Sequence, residues 1–158
     1  MIIRYFHWRS AVFAAALCAL VACGGSAPTK PITTKASIIA SNEVNPNAQG
    51  RASSVHLLIF QLRDETAFVN ADFSSLVEKE KETLGASLVE RSETDLSPGD
   101  ERELVLNISP EARVLGVVAE LANYRNAQWR AFTRVPSREK ERVVIRLDRN
   151  STSIRVSK

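Results

Sequence analysis

Histidine and cysteine, the side chains that most often carry metal or nucleophile chemistry, are scarce: the 158 residues hold two of each. His7 and Cys18 fall within the first 22 residues, leaving His56 and Cys23 beyond them. One cysteine cannot close an intrachain disulfide, so the fold must be held by packing alone. There is no HExxH, no Walker loop and no GxSxG. His56 lies inside an apolar strand pattern with no cysteine or paired carboxylate near it. That is the setting of a packed or edge-facing strand residue, not of a ligand or base. Ser53 and Ser54 precede it closely, but a triad needs base and orienter to converge in space. Asp64 and Glu65 follow a strand beside Arg63, where a solvated turn suits them. No catalytic residue, metal site or cofactor is expected.

An excess of one charge is also missing. Of the 21 basic and 18 acidic side chains, the first 22 residues hold Arg4 and Arg9 and no acid, so the remainder carries 19 against 18. That near-neutral balance gives no support to nucleic acid as a partner, and none is expected. The longest apolar run, Ala11 to Ala22, reaches only ~18 Å as a helix, short of a ~30 Å hydrocarbon core, which argues against a permanent transmembrane helix.

What is present at the start is an address. Arg4 and Arg9, the twelve-residue apolar run and small residues after it form a secretory signal. Leu20-Val21-Ala22-Cys23 matches the lipobox of bacterial lipoproteins, in which the cysteine thiol takes a diacylglycerol and the new amine is usually acylated. We therefore expect residues 1–22 to be a signal peptide and Cys23 to be the lipidated first residue. Several acyl chains anchor stably where a single one is marginal. Gly24, with no aspartate after the cysteine, favours the outer membrane, with the domain facing the periplasm. Residues 23–35 contain two prolines, two glycines and several hydroxyl side chains, and are expected to be an acylated flexible tether. Residues 36–158 are then the folded domain, long enough for its own core.

That domain reads mainly as strands. Ser37–Ala40 is a short apolar run, followed by a turn-rich stretch from Asn42 to Arg51. Val55–Leu62 and Val114–Leu121 are apolar on both faces and suit inner strands. Ser97-Pro98-Gly99-Asp100 reads as a type II turn with Gly99 at positive φ. Leu104, Leu106 and Ile108 alternate with outward residues, and Trp129, Ala131 and Thr133 share one strand face after a turn at Asn123–Asn126. Val143, Ile145 and Leu147 lead through Asp148-Arg149-Asn150 to Ile154 and Val156, a final hairpin. Six to eight short strands imply a two-sheet β-sandwich. One helix is expected to interrupt them, capped by Asn70, with Phe73, Leu76 and Val77 inward and Gly85 near its end. Its Glu78–Glu82 run of alternating charge is a solvated face. Phe68, Phe73, Trp129 and Phe132 are expected in the core, with Tyr124 set apart in a turn.

Taken in order, these pieces resemble a known family. They are the lipobox at Cys23, Asn45-Pro46-Asn47 with Gly50-Arg51, the strand ending Phe60-Gln61-Leu62-Arg63-Asp64, and Ala71-Asp72-Phe73-Ser74-Ser75-Leu76. Leu84-Gly85, Leu96-Ser97-Pro98-Gly99, Val114–Ala119 and Trp129-Arg130 complete the set. Across essentially the whole mature chain it is similar to the outer-membrane lipoprotein of type VI secretion systems, the TssJ family. The resemblance implies a transthyretin-like sandwich with an added helix. It also implies a non-enzymatic role, anchoring the secretion membrane complex by binding the periplasmic C-terminal region of TssM. In the family the loop between the first two strands makes much of that contact. It maps here to about Glu43–Ser53, where Asn45, Pro46, Asn47, Gln49, Gly50 and Arg51 are the candidate partner-binding residues. Multiple copies in a ring-shaped complex would raise a moderate affinity through multivalency. Two other readings stay open: a periplasm-facing lipoprotein whose sandwich binds a small ligand, or one that stabilises the envelope.

Overall fold

In the computed structural model, which describes residues 30–158, β1 (Ile32–Ala40) shows how patterning sets the layers. Thr34, Ala36, Ile38 and Ala40 are buried while Thr33 and Lys35 face solvent, the period-two signature of a strand covered on one side. β1 pairs antiparallel with β4 (Glu101–Ile108) and parallel with β7 (Arg142–Asp148), and β7 pairs with β8 (Ser151–Ser157). The second sheet is antiparallel, in the order β3 (Leu88–Leu96), β2 (Val55–Leu62), β5 (Val114–Ala119) and β6 (Arg130–Arg134). The protein is thus a two-sheet, transthyretin-like sandwich. Ile38, Ile145 and Leu147 from one sheet meet Leu57, Leu115 and Val117 from the other in the inter-sheet core.

β2 and β5 are apolar on both faces because both faces are covered. Leu58, Phe60, Leu62 and Val118 point away from the partner sheet and pack under Phe68, Leu76 and Leu84 of a helical insertion. Close approach there requires Gly116, since a Cβ at this position would lie 2.8 Å from Cζ of Phe68. Gln61, almost fully buried, ties the sheets together. Its Nε2 donates to the Asn107 carbonyl at 2.9 Å and its Oε1 accepts from Ser109 N–H at 2.8 Å.

The structure corrects four expectations. β1 begins at Ile32, so residues 32–35 are paired strand and do not belong to the expected 23–35 tether. The insertion is three short helices, α1 (Thr66–Asn70), α2 (Phe73–Glu78) and α3 (Glu80–Leu84), not one. Asn70 ends α1, and the cap of α2 is Asp72, whose Oδ1 accepts from Ser75 N–H at 2.9 Å. Lys79, at φ −136°, breaks the charged run into two pieces. β3 is a strand beyond those expected. Gly99 does sit at φ 82° in its turn, closed by Asp100 N–H to the Ser97 carbonyl at 3.0 Å.

Strand directions define two poles. Ile32 lies at one end, with the β4–β5 and β6–β7 connections and the start of the insertion. The β1–β2 loop lies at the other, with the β3–β4, β5–β6 and β7–β8 turns. Rising ~3.3 Å per residue, β1 separates the poles by roughly 26 Å.

Candidate functional site

The β1–β2 loop is built from a buried root and a closed tip. At the root, Val44 is fully buried, and Ser53 N–H donates to its carbonyl at 3.2 Å. Asn45 follows at φ 49°, a left-handed conformation that asparagine tolerates better than most residues. Its Nδ2 donates to the Ser54 carbonyl at 2.6 Å, and its Oδ1 accepts from Ala122 N–H at 2.7 Å. Its backbone N–H reaches the Arg149 carbonyl at 3.2 Å, and its own carbonyl accepts from the Ser53 hydroxyl. One asparagine therefore joins its own loop to the β5–β6 and β7–β8 turns. Of the candidate binding residues it is the one turned inward, its polar atoms already satisfied and only 7% of its surface exposed.

The tip is residues 47–51. Asn47 N–H donates to the Arg51 carbonyl at 2.9 Å, and Gly50 N–H donates to the Asn47 carbonyl at 2.8 Å. Asn47 Oδ1 accepts from both Gln49 N–H and Arg51 N–H, each at 3.0 Å. This Asx-type closure fixes the backbone of a short polar turn. It leaves Gln49, Gly50 and Arg51 exposed, with Pro46 and Asn47 half-buried beneath them. Glu43 and Arg149 pair across the rim at 3.3 Å. A tip ordered before any encounter loses little entropy on binding.

An aromatic group stands at the same pole. Tyr124 stacks on Phe73 at 4.3 Å between ring centres, and Trp129 meets Phe73 edge-on at 5.2 Å. Arg130 lies over the Trp129 ring and donates to the Phe68 and Ala71 carbonyls at 2.9 and 2.7 Å. These contacts clamp the insertion to the β5–β6 turn. Phe68 is core, as expected; Phe73 and Trp129 are half-buried and pack against the core, and Tyr124, in its turn, is half-buried as well. Phe132 is 47% exposed: β6 is the sheet edge, and on its outward face Phe132 meets Phe68 only edge-on.

His56 faces the edge strand. Its Nδ1 lies 2.7 Å from Asp95 Oδ1 and its Nε2 lies 3.5 Å from Glu93. The Asp95 hydrogen bond, against some desolvation and with the fields of Glu120 and Glu93, raises its pKa above the ordinary value. With a carboxylate on each ring nitrogen, neither is placed to activate Ser53, whose hydroxyl donates to the Asn45 carbonyl. Asp64 and Glu65 are exposed; Asp64 accepts from Thr66 N–H at 3.0 Å, which holds its pKa low. Cys23 and the expected signal peptide lie outside the described residues.

Residues 32–150 match the family described as "Type VI secretion lipoprotein, VasD, EvfM, TssJ, VC_A0113". Among solved structures, the chain is similar to the type VI secretion lipoprotein TssJ1 from Pseudomonas aeruginosa. The TM-score is 0.76 and the identity 31%, over 81% of this chain and 98% of that one. It is also similar to Serratia marcescens Lip, a membrane-bound component of the type VI secretion system. There the TM-score is 0.71 and the identity 26%, over 81% of this chain and 97% of that one. A third structure, described as the TssM C-terminal domain from EAEC, shares the fold with a TM-score of 0.64 at 22% identity, over 78% of this chain and 97% of that one. No curated protein sequence matches.

Proposed function

We propose that this chain, which belongs to the type VI secretion lipoprotein family of TssJ, anchors the secretion membrane complex to the outer membrane. In this reading Cys23 carries the lipid, residues 23–31 tether it, and the domain faces the periplasm. The exposed tip of the β1–β2 loop grips the periplasmic C-terminal region of a TssM-type inner-membrane protein. No catalysis and no cofactor take part.

One observation carries the reading: β1 leads directly from the pole where the tether joins to the pole where the loop stands. A domain fastened by Ile32 therefore turns residues 47–51 away from the membrane, toward anything crossing the periplasm. Gln49 and Arg51 offer amide and guanidinium donors on a backbone held by Asn47, while Asn45 shapes the loop from beneath.

The test uses the full chain and a TssM periplasmic region in calorimetry. Arg51→Ala and Gln49→Ala should each weaken binding several-fold without changing stability. Undiminished affinity in the double variant would remove the tip from the interface. Cys23→Ser should release the protein from the outer membrane and stop secretion; a variant that stays there and still supports secretion refutes the anchor.

A further inference from the structure

We propose that the pole opposite the loop makes a second, electrostatic contact with the membrane. A groove beside Phe132, continued by the basic β6–β7 connection, docks on the anionic phosphate headgroups of the bilayer that holds the anchor. The proposal rests on the reading of Cys23 as the lipidated residue.

The groove follows from an edge strand. Phe132 pairs with Gly116 on β5 and turns away from the inter-sheet core, edge-on to Phe68 at 6.5 Å and 76°. With Val105 it is one of the two exposed large hydrophobic residues among those described. Beside it opens a groove of about 430 Å³, walled by Arg113, Val114, Thr133 and Arg134, with Glu65 on its rim. The groove belongs to the N-terminal pole: Arg134 pairs with Val114 at the start of β5, and Val135 N–H donates to the Arg113 carbonyl at 3.0 Å.

The chain beyond it is basic. Residues 134–142 carry Arg134, Arg138, Lys140 and Arg142 against Glu139 and Glu141. The Glu141 carboxylate is engaged by Ser137 N–H at 2.8 Å, which together with the field of Arg138 keeps it ionised; Arg142 pairs with Glu103 at 3.4 Å. Among the described residues no carboxylate forms an ion pair with Arg113, Arg134 or Lys140. The Arg113 guanidinium donates to the carbonyls of Pro110 and Ala112, at 2.6 and 2.9 Å. All three cations are exposed.

Chain length supplies the occupant. Residues 23–31 span at most ~30 Å fully extended, so this pole never leaves the neighbourhood of the bilayer. Uncompensated guanidinium groups match phosphate, and an exposed aromatic between them suits the boundary of headgroup and acyl chain. Such docking would also hold the sandwich upright, with the loop tip aimed away from the surface.

The experiment reconstitutes the full acylated chain in neutral phosphatidylcholine vesicles and in vesicles that also contain phosphatidylglycerol, and follows amide exchange. We expect exchange across residues 132–140 to slow roughly tenfold in the anionic vesicles relative to the neutral ones. Molar salt, which shortens the screening length to ~3 Å, should erase the difference. Phe132→Ser alone, and Arg134→Gln with Lys140→Gln, should erase it too, while flotation and thermal unfolding stay unchanged. Equal exchange in both vesicles overturns the proposal. So does slowing by inorganic phosphate without vesicles, which means a free-anion site, or slowing that needs the TssM region and not the lipid, which means a protein face. A chain that floats with neither vesicle refutes the anchor itself, a separate failure, and the contact falls with it.

Discussion

Replacing Asn45 should separate what shapes the loop from what the loop presents. In Asn45→Ala the Ser54 carbonyl loses the amide 2.6 Å away and the Ala122 N–H loses the oxygen at 2.7 Å. Each lost hydrogen bond costs about 1 kcal/mol net, and more where the orphaned group stays dry. Alanine must also hold the φ of 49°, which adds about 1 kcal/mol for a residue with a Cβ in the left-handed region. The total is about 3 kcal/mol, or a fall of roughly 10 °C in Tm for a domain of this size. Asn45→Gly removes the backbone penalty but not the lost bonds, so it should recover about 1 kcal/mol of the loss. Asn45→Asp keeps an acceptor for Ala122 but sets a carboxylate against the Ser54 carbonyl, and should be worse than glycine.

Urea unfolding followed by the fluorescence of Trp129 measures the series, and exchange of the Ala122 amide locates the damage. If alanine and the parent unfold at the same urea concentration, the account of Asn45 as the bracket between three loops is wrong. A variant that keeps full stability yet loses all affinity would mean instead that Asn45 touches the partner.

Three further outcomes follow from other sites. Gly116→Ala would bring a Cβ to 2.8, 3.0 and 3.1 Å from three atoms of the buried Phe68 ring; the expected loss is about 2 kcal/mol, and combining it with Phe68→Leu should cost clearly less than the sum of the two. Equal and additive losses in that cycle would show that the ring is free to move. His56 has a folded pKa above its unfolded value, so its contribution is complete below pH ~6.5 and fades as pH rises through the elevated folded value. His56→Gln should therefore destabilise at pH 6 and approach the parent at pH 8, and parallel stability curves would refute the Asp95 contact. Asp72, whose pKa is lowered to about 2 first by Ser75 N–H and then by the Ser74 and Ser75 hydroxyls, caps α2 at neutral pH and loses that role only as pH falls from ~4 through the folded value. Asp72→Ala should speed exchange of the Ser75 amide, with Asp72→Asn close to the parent.

The parts of the fold that were legible are those whose pattern is set by local burial. Val55–Leu62 and Val114–Ala119 read as inner strands because both faces of each are covered, by the partner sheet and by the insertion. β3 did not read as a strand because it pairs on one side only, with β2, and its residues Glu90–Glu93 are exposed. An edge strand with charge on both faces carries no alternation to detect. The start of β1 was hidden for a related reason: Thr33 and Lys35 face solvent, and the buried residue between them, Thr34, is polar, its hydroxyl satisfied by the Glu141 carbonyl. In the loop, Asn45-Pro46-Asn47 signals a turn, and the closure by Asn47 is the local chemistry that signal implies. The inward orientation of Asn45 was invisible, since its partner Ala122 lies 77 positions away. The break at Lys79 has no marker either, because Leu76 and Leu84 keep a continuous helical spacing across it.

The arrangement of β1 bears on how such a domain carries load. In the proposed function, with the anchor at Cys23 and the partner on the loop, both attachments continue the same strand, one from Ile32 and the other from Ala40. Tension between them runs along the covalent backbone of β1 and is not concentrated on the hydrogen bonds that hold the sheets together. β1 is also flanked on both sides, by β4 and by β7, so the loaded strand is an inner one and cannot peel away as a sheet edge can. Past Ala40 the path turns, and Asn45 passes part of the pull to Ala122 and Arg149 in the two neighbouring turns. A partner bound at residues 47–51 would thus act on both sheets together. If the proposed contact is made there, the buried, fully bonded asparagine at the root of the loop is what shares the load between the sheets.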